Sequence, residues 1–265
     1  GTGQVRSFDP HDLGGGSPDT DTYQADEPHH GVAVALDDGT MLVTIGTEEE
    51  RTGVLAVDAD GNEIARSEQC PGVHGEAAAE GGVVSFGCHD GVLLFKDGGF
   101  VKVPGDGGYT AISTQAGSES SPILLGNYMT DETAEVERPD QFALIDGETA
   151  TLEVVPMPQG VSYSSRSLGR GPGGEALILG TDGMLYMFDP ASGEVKKSWP
   201  VVGEWTEPAE WQQPRPSLFV RGDDAYVTEP ATRSVHRLDL DTGEVAADVR
   251  LDAVPNEISG SVHQH

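Results

Sequence analysis

Two stretches of the sequence put imidazoles where metal chemistry could be done. One reads His29-His30-Gly31-Val32-Ala33 and the other His74-Gly75-Glu76-Ala77, so a His-Gly-x-Ala pattern occurs twice. A neutral imidazole is a ready ligand for zinc or copper. Glycine after each histidine lets the backbone bend toward a common point. Two histidines do not complete a zinc site, because a structural site takes four ligands and a catalytic one three plus water. His29 is the adjacent third candidate. His89 and Asp90 in a turn, His11 in a leading loop, and His263 and His265 at the end of the chain could also contribute. His236 lies beside Arg237 in a strand-like run and reads as part of a solvated face. The competing account of His30 and His74 is that they hydrogen-bond backbone at a structural junction.

Other chemistries find less support. No Gly-x-Ser-x-Gly elbow, HExxH pair or phosphate-cradling loop occurs. Glu76, two residues after His74, is the first candidate acid or base if a bound metal serves hydrolysis. Arg215, between Pro214 and Pro216, either reaches a binding channel or forms a salt bridge. Trp205 and Trp211, near Pro208 and Pro214, read as packing groups on a long loop. Asp19, Asp21, Asp26 and Glu27 follow His11 in a Gly- and Pro-bearing segment that could catch hydrated cations or be a solvated connector.

Charge and cysteine content narrow the partners. Fifteen basic residues against 45 acidic ones give a net charge of −30, with four lysines and no basic run. Binding a phosphate backbone needs Lys and Arg to displace counterions, so nucleic acid is excluded, and an anionic membrane surface with it. A field of this sign attracts cations and basic partners. No stretch approaches the roughly 20 apolar residues of a membrane helix, so no integral membrane segment is expected. The two cysteines, Cys70 and Cys88, form no CxxC pair. They fit one disulfide in an oxidising compartment, or two buried thiols in a reducing one.

The elements that must position these residues recur along the chain. A strand-like run ending in Asp appears at Gly3–Asp9, Gly53–Asp58, Gln141–Asp146, Gly183–Asp189 and Ser234–Asp239, with Gly91–Lys96 carrying Lys in the last slot. These ends fall 38 to 50 residues apart, and turns such as Asp60-Gly61-Asn62 and Thr242-Gly243-Glu244 follow them. Each unit parses as four short strands, and no helix-period segment is found. With 36 Gly and 17 Pro in 265 residues, many short elements joined by turns are expected. Four-stranded units at this period specify an all-β fold, a β-propeller of antiparallel blades. One propeller over residues 1–265 is expected. Residues 1–27 would give the outer strands and acidic loop of a partial blade. Residues 28–250 would give five complete blades, and 251–265 a closing strand near Glu257–Val262 and a tail. The inner strand of the third blade is placed at Ala111–Thr114. The chain opens inside a repeat, which predicts the C-terminal part of a longer propeller. Propeller sites lie on the axis, at the starts of the innermost strands, where both His-Gly segments fall.

With these residues in hand, the sequence resembles the AztD-type zinc metallochaperones. The likeness is carried by Pro28-His29-His30-Gly31-Val32-Ala33-Val34, by Cys70-Pro71-Gly72-Val73-His74-Gly75-Glu76-Ala77, and by Gly87-Cys88. Leu125-Gly126-Asn127-Tyr128, Pro214-Arg215-Pro216 and Ser234-Val235-His236 add to it. The resemblance implies a secreted or periplasmic β-propeller that binds Zn2+ and hands it to the substrate-binding protein of a zinc ABC transporter. It implies a site of several His plus an Asp, to which His30 and His74 correspond, with His29 as neighbour. It also implies a Cys70–Cys88 disulfide supporting the loop that carries His74. Members of that family carry a further N-terminal, His-rich region not present in these residues, so a segment of the same protein is a candidate partner. The expected function is therefore a zinc chaperone and not an enzyme. A metal-dependent hydrolase or lactonase-like propeller and a metal-free interaction propeller are the alternatives.

Overall fold

The computed structural model describes residues 1–260; His263 and His265 lie outside the described residues. Two strands, β1 (Gln4–Ser7) and β2 (Asp21–Gln24), pair antiparallel at the start. The first complete blade is β3 (Ala33–Ala35), β4 (Met41–Gly46), β5 (Arg51–Val57) and β6 (Glu63–Ser67). The second is β7 (Glu76–Ala79), β8 (Val83–Cys88), β9 (Asp90–Lys96) and β10 (Gly99–Pro104), followed by the two-residue β11 (Thr110–Ala111). The third is β12 (Gln115–Ala116), β13 (Ile123–Asn127), β14 (Gln141–Asp146) and β15 (Thr151–Pro156). The fourth is β16 (Tyr163–Arg170), β17 (Ala176–Gly180), β18 (Met184–Phe188) and β19 (Val195–Pro200). The fifth is β20 (Leu218–Arg221), β21 (Asp224–Glu229), β22 (Ser234–Asp239) and β23 (Val245–Arg250). Within each blade the strands pair in sequence order and antiparallel, the arrangement of a β-propeller. Among the described residues the helical content is two 3-10 turns, at Pro10–Gly15 and Glu80–Gly82.

The core explains why the sheets stack. Four of the hydrophobic clusters lie between consecutive blades, and a fifth lies between the first blade and Tyr23 of β2. Leu42, Val54 and Ala56 of the first meet Val84, Phe86 and Leu93 of the second. Leu125, Phe142 and Leu144 of the third meet Ile178 and Phe188 of the fourth. A sheet buried on both faces reads as a continuous apolar run instead of an alternating one. The middle strands do so: every residue of Val83–Cys88 is buried. The outer strands, such as the exposed Val245–Arg250, do not.

The Asp that ends each repeat has a specific task. Asp58 Oδ1 accepts from the N–H groups of Asp60 and Asn62. Asp146 does the same for Glu148 and Thr149, Asp189 for Ala191 and Ser192, and Asp239 for Asp241 and Thr242. Each carboxylate thus satisfies the turn that leads into the outer strand.

Two expectations are corrected. Residues 111–114 are not the inner strand of the third blade. Thr110 and Ala111 pair in parallel with β9, Ala111 also bridges Met129, and the inner strand is Gln115–Ala116. The apolar character of this segment serves burial of Ala111 and Ile112 between blades. No strand forms over residues 257–260, and the rest of the expected closing strand lies outside the described residues.

Candidate metal centre

Each blade joins the lead-in of its first strand to the end of its second by the same contact. Thr44 N–H donates to Val32 O (3.1 Å), and Val32 N–H donates back to Thr44 Oγ1 (3.0 Å). Thr181 and Ser162 repeat this pair in the fourth blade, and Thr228 and Ser217 in the fifth. In the second blade the equivalent bond is Gly87 N–H to Gly75 O (3.1 Å). Val32 and Gly75 are therefore equivalent positions. His30 stands two residues before its marker and His74 one before, so the two His-Gly-x-Ala segments are offset by one residue instead of sharing a slot.

The offset does not separate the side chains. The His30 and His74 rings stack with centroids 5.4 Å apart and planes 8° from parallel, both exposed. Gly75 has φ +71°, and a Cβ there would lie 2.2 Å from Ser113 O, so glycine is required on both counts. Gly31 has no such conformation; its constraint is Thr44 Oγ1, 2.3 Å from where a Cβ would sit. His74 Nδ1 lies 3.1 Å from Ser113 O. A carbonyl only accepts, so Nδ1 carries the proton, and in the neutral ring Nε2 keeps its lone pair. Burial raises the Glu76 carboxyl above its ordinary value, with the nearby His74 opposing the shift.

The remaining expected residues are placed as follows. His29 lies outside the stacked pair: Nδ1 bonds Glu27 O (2.8 Å), and Nε2 faces Thr44 O and Oγ1 (3.1 and 3.0 Å). Both its nitrogens hold backbone and threonine at the blade entrance. Cys70 and Cys88 are disulfide-bonded and buried. The bond and the Gly72 N–H to Arg51 O contact pin the loop that leads to His74. His89 covers Gly72 and packs on Tyr109, with centroids 5.3 Å apart. Asp90 pairs with Lys102, and the exposed His11 with Asp9. His236 is buried, not solvated, and its Nε2 meets Glu229 Oε2 at 3.0 Å. Its alternation with Ser234 and Leu238, which share its face, was the signal for this. Arg215 forms a buried ion pair with Glu207. Trp205 packs and donates to Gly180 O, whereas Trp211 is 70% exposed. Among the described residues no group of three or more His, Cys, Asp or Glu is gathered to hold a metal.

No family model matches the chain. The curated zinc chaperone AztD of Citrobacter koseri is 27% identical over 89% of this chain and 57% of its own length. This chain therefore spans little more than half of that relative. The crystal structure of C. koseri AztD superposes with a TM-score of 0.79 at 23% identity, covering 99% of this chain and 71% of that one. Its apo structure gives 0.79 at 23%, covering 96% and 69%. The dihydro-heme d1 dehydrogenase NirN, in complex with DHE, gives 0.61 at 12%, covering 95% and 52%. The structural likenesses establish the propeller fold.

Proposed function

We propose that this chain is the zinc-holding part of a zinc chaperone. Zn2+ is its cargo, and His30 and His74 supply two nitrogen donors. The observation that carries this is the stack of two accessible imidazoles from neighbouring blades, one with a tautomer that leaves Nε2 basic. The donor chemistry suits zinc, but a tetrahedral ion takes two donors more than this pair brings. Those positions fall to water, to an acceptor or to another segment of the protein. A carrier gains from such a site, because an incoming protein can replace the outer ligands before the imidazoles let go. The net charge of −30 raises the local concentration of Zn2+ and of a basic acceptor.

In this account the acceptor is the substrate-binding protein of a zinc ABC transporter, and the compartment is periplasmic or extracellular. The disulfide suits an oxidising compartment, and no helix among the described residues is long and apolar enough to cross a membrane. Metal content after dialysis, read by plasma mass spectrometry on the parent, His30→Ala and His74→Ala proteins, tests the assignment. Near-stoichiometric zinc in the parent, lost in both variants, is expected, with no hydrolytic turnover. Zinc retained by both variants overturns it. The raised Glu76 carboxyl beside His74 favours one rival, a metal-dependent hydrolase. Turnover of ester or lactone substrates that stops in Glu76→Gln would establish that rival instead.

A further inference from the structure

A ring on a loop keeps one tautomer only if a neighbouring element holds the partner of its proton. For His74 that partner is the carbonyl of Ser113 in the next blade. No strand ladder aims this carbonyl, because residues 112–114 belong to no strand. The side chain of Asn127 aims it. Its Oδ1 accepts from both Ser113 N–H (2.8 Å) and Thr114 N–H (2.9 Å), and its Nδ2 donates to Ser113 Oγ (3.2 Å). Asn127 is 1% exposed, at the end of β13.

The comparison within the chain is informative. Thr44, Thr181 and Thr228 occupy the slot of Asn127 in three other blades, and each hydroxyl accepts one N–H, from Val32, Ser162 and Ser217. Thr114 N–H is the equivalent bond in the third blade. The second bond, from Ser113, is what asparagine adds. Thr114 N–H shares a peptide plane with the Ser113 carbonyl and Ser113 N–H belongs to the plane before it, so Asn127 holds both planes that flank Ser113, whose carbonyl meets His74. Gly75 closes the other side, since any Cβ there would strike Ser113 O.

We infer that Asn127 is a positioning residue for metal capture, one that fixes the Ser113 carbonyl and through it the Nδ1–H tautomer of His74. Nε2 of His74 is thereby left as the metal-binding nitrogen. The consequence for zinc rests on the function proposed above; the consequence for the tautomer does not.

The test uses Asn127→Thr, which installs the residue of the three sister blades and removes both the bond from Ser113 N–H and the Nδ2 donation to Ser113 Oγ, leaving one of the two flanking peptide planes unheld. Asn127→Asp is the conservative partner, since a carboxylate accepts both N–H groups. Long-range 15N–1H correlation of histidine-labelled, metal-free protein reads the His74 tautomer. Competition with a chromophoric chelator reads zinc affinity, and thermal unfolding checks the fold. The parent and Asn127→Asp are expected to show protonated Nδ1. Asn127→Thr is expected to unfold cooperatively like the parent but to lose that preference and bind zinc about 10- to 100-fold more weakly. An Nε2–H ring in the parent, an unchanged tautomer in Asn127→Thr, or a changed tautomer with unchanged zinc affinity overturns the inference. A parent that shows the Nδ1–H tautomer but binds no zinc overturns the proposed function and leaves the positioning of His74 intact.

Discussion

Replacing Gly87 with alanine should disturb the fold and the candidate site together. Gly87 is the last residue but one of the second strand of the second blade, where the third blade's lead-in crosses it. A Cβ at this position would lie 1.8 Å from Ile112 O and 2.7 Å from His74 O. Both neighbours are backbone, so no rotamer change relieves the clash. Ile112 is itself fixed by burial and by its N–H bond to Cys88 O. The crossing must open by about 1 Å, which breaks the shape fit of a packed interior and costs on the order of 3 kcal/mol, the upper part of the usual range for overpacking. In a protein of this size that lowers the melting temperature by roughly 10 °C. The movement also strains the His74 N–H to Gly87 O bond (3.0 Å), so His74 leaves the stack with His30. Gly99→Ala is the control, because nothing lies within 4 Å of its Cβ position. Scanning calorimetry and zinc competition on both variants would check this. A Gly87→Ala protein that melts with the parent and binds zinc equally would refute the account of the blade crossing.

Three further outcomes are expected. Removing the Cys70–Cys88 disulfide by paired alanine substitution should cost about 3 kcal/mol, given the 18-residue separation, and should show as a lower denaturation midpoint with weakened zinc binding. Arg170→Met should cost on the order of 3 kcal/mol by denaturant titration. The guanidinium, whose pKa burial pulls down to about 10, donates to Ala116 O and Ile123 O of the third blade and to Gly174 O and Glu175 O of its own. A thioether fills the space but removes all four of those hydrogen bonds from a buried position. Acid should unfold the protein through its turns. Hydrogen bonds hold the carboxyls of Asp38, Asp58, Asp189 and Asp239 below the ordinary value of 3.8. The unfolded chain therefore binds more protons in that range, so this stability is complete above about pH 4 and lost as pH falls further. Melting temperature measured in about 0.5 M salt, which screens the net charge, should drop from about pH 4 downward; a flat profile would contradict it.

The architecture was legible because its causes are local. Short apolar runs and a Gly-bearing turn recur from unit to unit, with a terminal Asp in all but the one that carries Lys96, and each has a physical counterpart: a strand buried on both faces, a tight reversal, a capped turn. Failures came where a segment answers to a neighbouring blade. Residues 111–114 look like a strand because Ala111 and Ile112 are followed by strand-compatible Ser113 and Thr114, yet Ile112 is buried between blades and the N–H groups of Ser113 and Thr114 go to a side chain. His236 differs: its inward orientation follows from strand period, and its partner, Glu229, lies on the adjacent strand of its own blade, a pairing that only the register of the two strands sets.

The candidate site was legible in part, and for the same reason. Its histidines stand out by type, yet their equivalence in the repeated pattern is one residue wrong once the blades are aligned by their own hydrogen bonds. What brings the rings together is the different path of each lead-in. The first carries His29 across Thr44, which occupies Nε2 while Glu27 O occupies Nδ1. The second is tied by the disulfide and folded tightly at Gly75 against Ser113. No motif encodes that convergence, because its determinants, Thr44, Asn127 and Gly87, look like ordinary strand ends. They matter through the backbone they fix. A search for the donors of an exchangeable metal site therefore has to include the residues that leave a nitrogen unpaired, since those decide which imidazole can accept an ion and which is already taken.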